Sequence, residues 1–161
     1  MIQEYFGIEL FGSVRIALPL QDLETIERFG RSQICSIPGV AAFFLGIIHQ
    51  RGSLTWVLDG DRFLDLQTPE TCQQSQSQVI VVIIKHQLGN TQKRVAWCVK
   101  NLEGVLSLNL TQSQPRPDLL PERFQSLFTA VVQHNNQPIF ILDSEAFFKA
   151  IGSRTHTLVG V

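Results

Sequence analysis

The sequence predicts an all-β protein, a sandwich or a pair of barrels. Two observations carry this: about nine short β-branched and aromatic runs at close spacing, and turn residues between most of them. A third is the stretch 37–59, an apolar run, then Arg51-Gly52, then a second apolar run ending on Asp59. It reads as a β-hairpin, because Gly52 takes φ > 0 at little steric cost and lets the chain reverse. Its flanks carry the β-branched and aromatic residues that strands favour.

The elements follow in order. Glu4–Phe11 and Val14–Leu18 flank Gly12-Ser13 and form a first hairpin. Leu20–Phe29 has two readings. Leu23, Ile26 and Phe29 share one face of a helix, yet the same residues also suit an alternating strand. Ala41–Gln50 and Leu54–Leu58 are the arms of the central hairpin, and 59–64 makes a turn with a short helical piece. Gln67–Gln78, rich in Gln, Ser and Thr, is expected to be a loop. Val79–Lys85 is a continuous apolar strand, as expected when both faces are buried. Gly89-Asn90 turns the chain into Arg94–Lys100, and Glu103 begins another short strand. Thr111–Pro121, with three prolines, is an irregular connection. Phe124–Gln133 and Pro138–Leu142 flank the hairpin loop 134–137. Asp143 or Ser144 caps a final helix over Glu145–Ile151, which Gly152 is expected to stop. No internal repeat and no clean inter-domain linker are read.

Composition excludes several function classes. The 161 residues carry a net charge of −1, and only 17% are charged. No basic field exists to attract nucleic acid or anionic lipid. No apolar run approaches the ~20 residues that span a bilayer, and residues 1–6 lack a signal peptide's features. Cys35, Cys72 and Cys98 are odd in number and widely spaced, which fits free thiols in a reducing cytoplasm. Cys98 is expected to be buried and Cys72 to be the exposed thiol.

The order Pro38, Gly46, Arg51-Gly52 and Asp59 resembles the core motif of the CheW-like family. The resemblance runs from about Phe6 to Ile151. It includes Ala17–Leu20, Leu23–Ile26, the run 96–105 and the ending 138–148. Thr25, His49 and Lys100 depart from the family's usual Glu, Asn and Asp. The chain looks most like CheW-like proteins of cyanobacterial taxis systems. The resemblance implies a single domain over 4–152 with a tail over 153–161. It implies two intertwined five-stranded SH3-like barrels with short helical pieces and a groove between them. It implies a non-catalytic cytoplasmic adaptor without cofactor or metal. Its partners would be the cytoplasmic tip of a methyl-accepting receptor and a CheA-like histidine kinase regulatory domain, in chemotaxis or phototaxis. Neither nucleic acid nor membrane insertion is expected.

The candidate partner-binding residues are Arg51, Gly52, His49, Leu23, Glu24, Glu27 and Val79. The Arg51 guanidinium beside a groove suits pairing with a carboxylate, and Glu24 and Glu27 are the expected counter-ions. Leu23 and Val79 are expected at the groove edge, partly exposed to an amphipathic helix. His49 is a pH-sensitive contact or a hydrogen-bonded strand residue. His86, His134 and His156, placed in loops or the tail, share no ligand spacing with it. Asp59 and Asp61 suit helix capping better than acid–base chemistry. The competing reading is a barrel that binds a small ligand in a lined cavity.

Overall fold

The computed structural model describes residues 2–66, 78–114 and 119–154. The described chain folds as β1 (Ile2–Glu9), β2 (Arg15–Pro19), β3 (Leu23–Gly30), β4 (Phe44–Gln50), β5 (Ser53–Asp59), α1 (Gly60–Phe63), β6 (Gln78–Leu88), β7 (Thr91–Val99), β8 (Asn101–Asn109), β9 (Phe128–His134), β10 (Gln137–Leu142) and α2 (Ser144–Arg154). The strands make two five-stranded sheets, ordered β8-β1-β2-β10-β9 and β3-β6-β7-β5-β4. Within each sheet one junction is parallel, β2 with β10 and β5 with β7.

Alternation along the strands sorts the apolar side chains into three clusters. Tyr5, Ala17, Leu106, Val132 and Ile139 fill the hollow of the first sheet. Val57, Val81, Ile83, Ala96 and Cys98 fill the second. The opposite faces meet between the sheets, where Phe6, Ile16, Trp97, Phe140 and Phe147 belong to the largest cluster. Each sheet therefore curls around its own core, and a third core joins the two barrels.

The ambiguity over 20–29 resolves as a strand, and the reason is local. A bulge in the β3–β6 register falls between Leu23 and Thr25. The extra residue puts Leu23 and Ile26, three apart, on the same inter-barrel face. Phe29 lies on the other face, inside the second barrel. A bulged strand thus imitates helical spacing.

In β4, Gly46 has φ +148°, and a Cβ there would lie 2.2 Å from the carbonyl oxygen of Cys35. Only glycine lets the connection before β4 approach closely enough for the paired hydrogen bonds between Cys35 and Ile47.

Four expectations need correction. Residues 122–127 form a 3-10 helix after Pro121, so β9 begins at Phe128 and not at Phe124. Gly152 does not stop α2, which continues to Arg154. The Arg154 guanidinium donates to the Phe63 carbonyl at 2.6 Å and lies over the Phe43 and Phe63 rings, and these contacts anchor the last turn. His86 and His134 lie on β6 and β9, not in loops. Cys98 is disulfide-bonded, and Cys35 is a free, exposed thiol. Sequence spacing carries no information on which sulfurs meet in space. The expected exposure of Cys72, the loop over 67–77 and most of the tail lie outside the described residues.

The fold also contains an internal repeat that sequence inspection missed. Arg15-Ile-Ala-Leu on β2 matches Arg94-Val-Ala-Trp on β7, and Leu23-Glu24 on β3 matches Leu102-Glu103 on β8 at the same spacing. Val57-Leu-Asp-Gly-Asp-Arg-Phe matches Ile141-Leu-Asp-Ser-Glu-Ala-Phe. Each half supplies two strands, then three strands and a helix. The halves are exchanged: β1 and β2 sit with β8–β10, and β6 and β7 sit with β3–β5.

Candidate partner-binding surface

The β4–β5 turn is the exposed tip of the second barrel. Arg51 has φ +50° and Gly52 φ +79°, the backbone of a two-residue hairpin turn that matches strand twist. Gln50 pairs with Ser53, and His49 with Leu54. His49, Arg51 and Leu54 all face solvent, and Leu54 is 67% exposed. The tip thus presents a cation, an imidazole and an apolar side chain together.

The expected ion pair of Arg51 with Glu24 does not form. Glu24 is taken by Arg94, whose Nε and Nη2 donate to the carboxylate at 2.6–3.1 Å. The same guanidinium donates to Thr55 Oγ1 and Gln50 Oε1. The physical reason is position. Arg94 sits on the face of β7 that also carries Ala96 and Cys98 inward, so it closes the mouth of the barrel. Arg51, at the turn, points into water. Glu27 also faces the barrel side of β3, opposite Val81, with its Oε2 buried and unpartnered.

Sequence reasoning missed Arg94. Its signal was the repeat. At the other barrel's mouth, Arg15 holds Glu103 through Nε and Nη2 at 2.6–3.1 Å. Its Nη1 donates to the His134 carbonyl at 2.7 Å, and Nη2 lies 2.9 Å from His134 Nδ1. A guanidinium has only donors, so this Nδ1 accepts and His134 carries its proton on Nε2.

Of the two expected groove residues, Leu23 is half-buried and packs on the inter-barrel core. Val79 is not at an open edge: it is 3% exposed and lies inside the second barrel opposite Phe29. Exposed Val105, opposite Phe6, borders the inter-barrel face instead. A cleft of about 460 Å³ lies at this junction, with His86, Asp22 and Tyr5 among its lining residues. His86 Nδ1 meets Asp22 at 3.2 Å and its ring stacks on Phe148.

Asp59 and Asp61 are structural. The Asp59 carboxylate accepts the Arg62 N–H and caps α1. Asp61 reaches across to the β1–β2 loop and accepts the N–H groups of Phe11 at 3.1 Å and Gly12 at 2.6 Å. Burial holds both carboxyls above their usual range, and Asp61 is raised to about 6, with Asp59 adding to the shift and the two N–H bonds opposing it. No cluster of three His, Cys, Asp or Glu side chains able to hold a metal occurs among the described residues. Apolar side chains pack inside both barrels. No described helix is long and apolar enough to cross a membrane.

This architecture defines a class: paired, strand-exchanged barrels that present hairpin tips. The CheW-like domain family matches residues 5–152, and the chain belongs to that family. Its structure is similar to that of the scaffolding protein TtCheW from Thermoanaerobacter tengcongensis. The TM-score is 0.68 at 16% identity, over 89% of this chain and 90% of that one. That likeness shows the shared fold. No curated protein sequence matches the chain. Membership gives the chain the general role of a coupling adaptor in chemotaxis systems.

Proposed function

We propose that the protein couples a methyl-accepting chemotaxis-type receptor to a CheA-like histidine kinase, in chemotaxis or phototaxis, by binding alone. The family match across both barrels carries this reading. The β4–β5 tip, with His49, Arg51, Gly52 and Leu54, offers a compact contact for the kinase regulatory domain. The inter-barrel margin, with half-buried Leu23 and Ile26 and exposed Val105, suits the apolar stripe of a receptor helix. Glu24 supports the tip through Arg94, and Glu27 lies beside it on the barrel side of β3. Val79 contributes packing. A rigid body that holds two partners passes a conformational bias from one to the other through geometry.

The test is a pull-down from the native extract with the purified chain as bait. Recovery of a histidine kinase bearing a CheW-like regulatory domain supports the proposal. Recovery of neither kinase nor receptor overturns it.

A further inference from the structure

Arg51 and Gly52 stand at the tip of β4 and β5, but the tip's own residues do little to fix its direction. Arg51 makes no hydrogen bond or ion pair with any described residue, and its side chain is in water. The groups that hold the hairpin lie below it. Gln50 immediately precedes Arg51, is 5% exposed, and points its Oε1 at Arg94. Thr55, on the return strand, is 2% exposed and directs its hydroxyl to the same guanidinium. Glu24 on β3 completes the set with a two-pronged grip. β3 and β4 are the two edge strands of the sheet and share no ladder. One planar cation on β7 therefore connects both edges of the sheet and both arms of the hairpin.

We propose that Arg94 is the positioning residue of the β4–β5 tip: through Gln50, Thr55 and Glu24 it sets the direction in which Arg51 and Gly52 meet a partner. The proposal rests on the adaptor reading for its consequence, and on geometry alone for its mechanism. The repeat supplies independent support, because Arg15 holds the equivalent β9–β10 tip from the equivalent place, with Glu103 as the equivalent acid. The planar fork spreads its donors over three separate acceptors, a reach that the compact ammonium of lysine does not match. Glu24 and Arg94 come from different halves of the repeat, so the tip's direction also depends on how the halves are joined.

The first experiment needs no partner. Hydrogen exchange is compared among the wild-type chain, Arg94→Met and Arg15→Met. Arg94→Met is expected to raise exchange of the 49–54 amides by roughly tenfold or more, with the 133–137 amides unchanged. Arg15→Met should give the reverse pattern. An even rise across both tips, or none at 49–54, overturns the proposal. Arg94→Lys should restore only part of the protection, and full restoration overturns the role of the fork. The second experiment titrates the cognate kinase regulatory domain. At matched thermal stability, Arg94→Met should weaken binding more than Arg15→Met, and equal weakening overturns the link between tip direction and partner. If the wild-type chain does not bind that domain at all, the adaptor reading fails while the exchange result still judges Arg94.

Discussion

The two barrels close their mouths with the same device but complete it differently. In the first, the Arg15 side chain is 7% exposed and bonds Glu103, the carbonyls of His134 and Gln137, and the His134 ring. In the second, the Arg94 side chain is 24% exposed and all three partners are side chains. Two of the first tip's anchors are backbone atoms, which no substitution removes. The second tip's anchors are all replaceable. Turn chemistry follows the same division. Asn135 and Asn136, at φ +53° and +61°, tolerate the left-handed region and present neutral amides. Arg51 occupies the matching position against its backbone preference and presents a charge. One tip is built for stability, and the other accepts strain to display a particular side chain.

The largest expected effect tests the second barrel's frame. Gly46→Ala places a Cβ against the Cys35 backbone and should cost about 3 kcal/mol or more, read as a fall in the denaturant midpoint. A loss under about 1 kcal/mol would show that the connection before β4 yields. Arg15→Met comes next. It removes the buried partner of the half-buried Glu103, so a loss of about 3 kcal/mol is expected. Arg94→Met, in the wetter mouth, should cost about half as much, and a reversed order would break the comparison between the barrels.

The junction gives an effect that depends on pH. Asp61 titrates near 6 when folded and near its ordinary value of 3.8 when unfolded. The folded chain therefore holds the proton more tightly, and stability from this group is greatest at low pH and declines as pH rises from about 4 through 6. The decline should be about 3 kcal/mol at most. Asp61→Asn should flatten this part of the stability–pH curve, and an unchanged slope would remove Asp61 as its source. The smallest effect belongs to Arg51→Asn. Copying the other tip's residue should stabilise by a few tenths of a kcal/mol, while kinase binding weakens. Unchanged binding would remove Arg51 from the partner surface.

Much of this fold was legible because hairpins announce themselves locally. The turns at 51–52, 89–90 and 135–136 each join apolar runs, and each occurs where expected. The identity of the central motif was equally local. What failed was non-local. Val79 looked like an edge residue until its pairing with Phe29 placed it inside the barrel. Arg94 looked like a strand's polar first residue, because nothing in its neighbourhood reveals Glu24, Thr55 and Gln50. The repeat was present in Arg-Ile-Ala-Leu and Arg-Val-Ala-Trp, but barrel cores tolerate such broad apolar substitution that only the placed arginines make it visible.

The exchange of strands has a consequence for how the chain comes into being on the ribosome. The second barrel is built from β3 to β7, one unbroken stretch, and can close as soon as β7 has emerged. The first barrel takes β1 and β2 from the start of the described chain and β8–β10 from its end. The β1–β2 hairpin, with Phe6, Ile8 and Ile16 uncovered, waits until β8–β10 have emerged, on the order of 10 s later at ordinary elongation rates. The tip that carries Arg51 is therefore finished before β1 and β2, made ahead of it, find their outer neighbours β8 and β10.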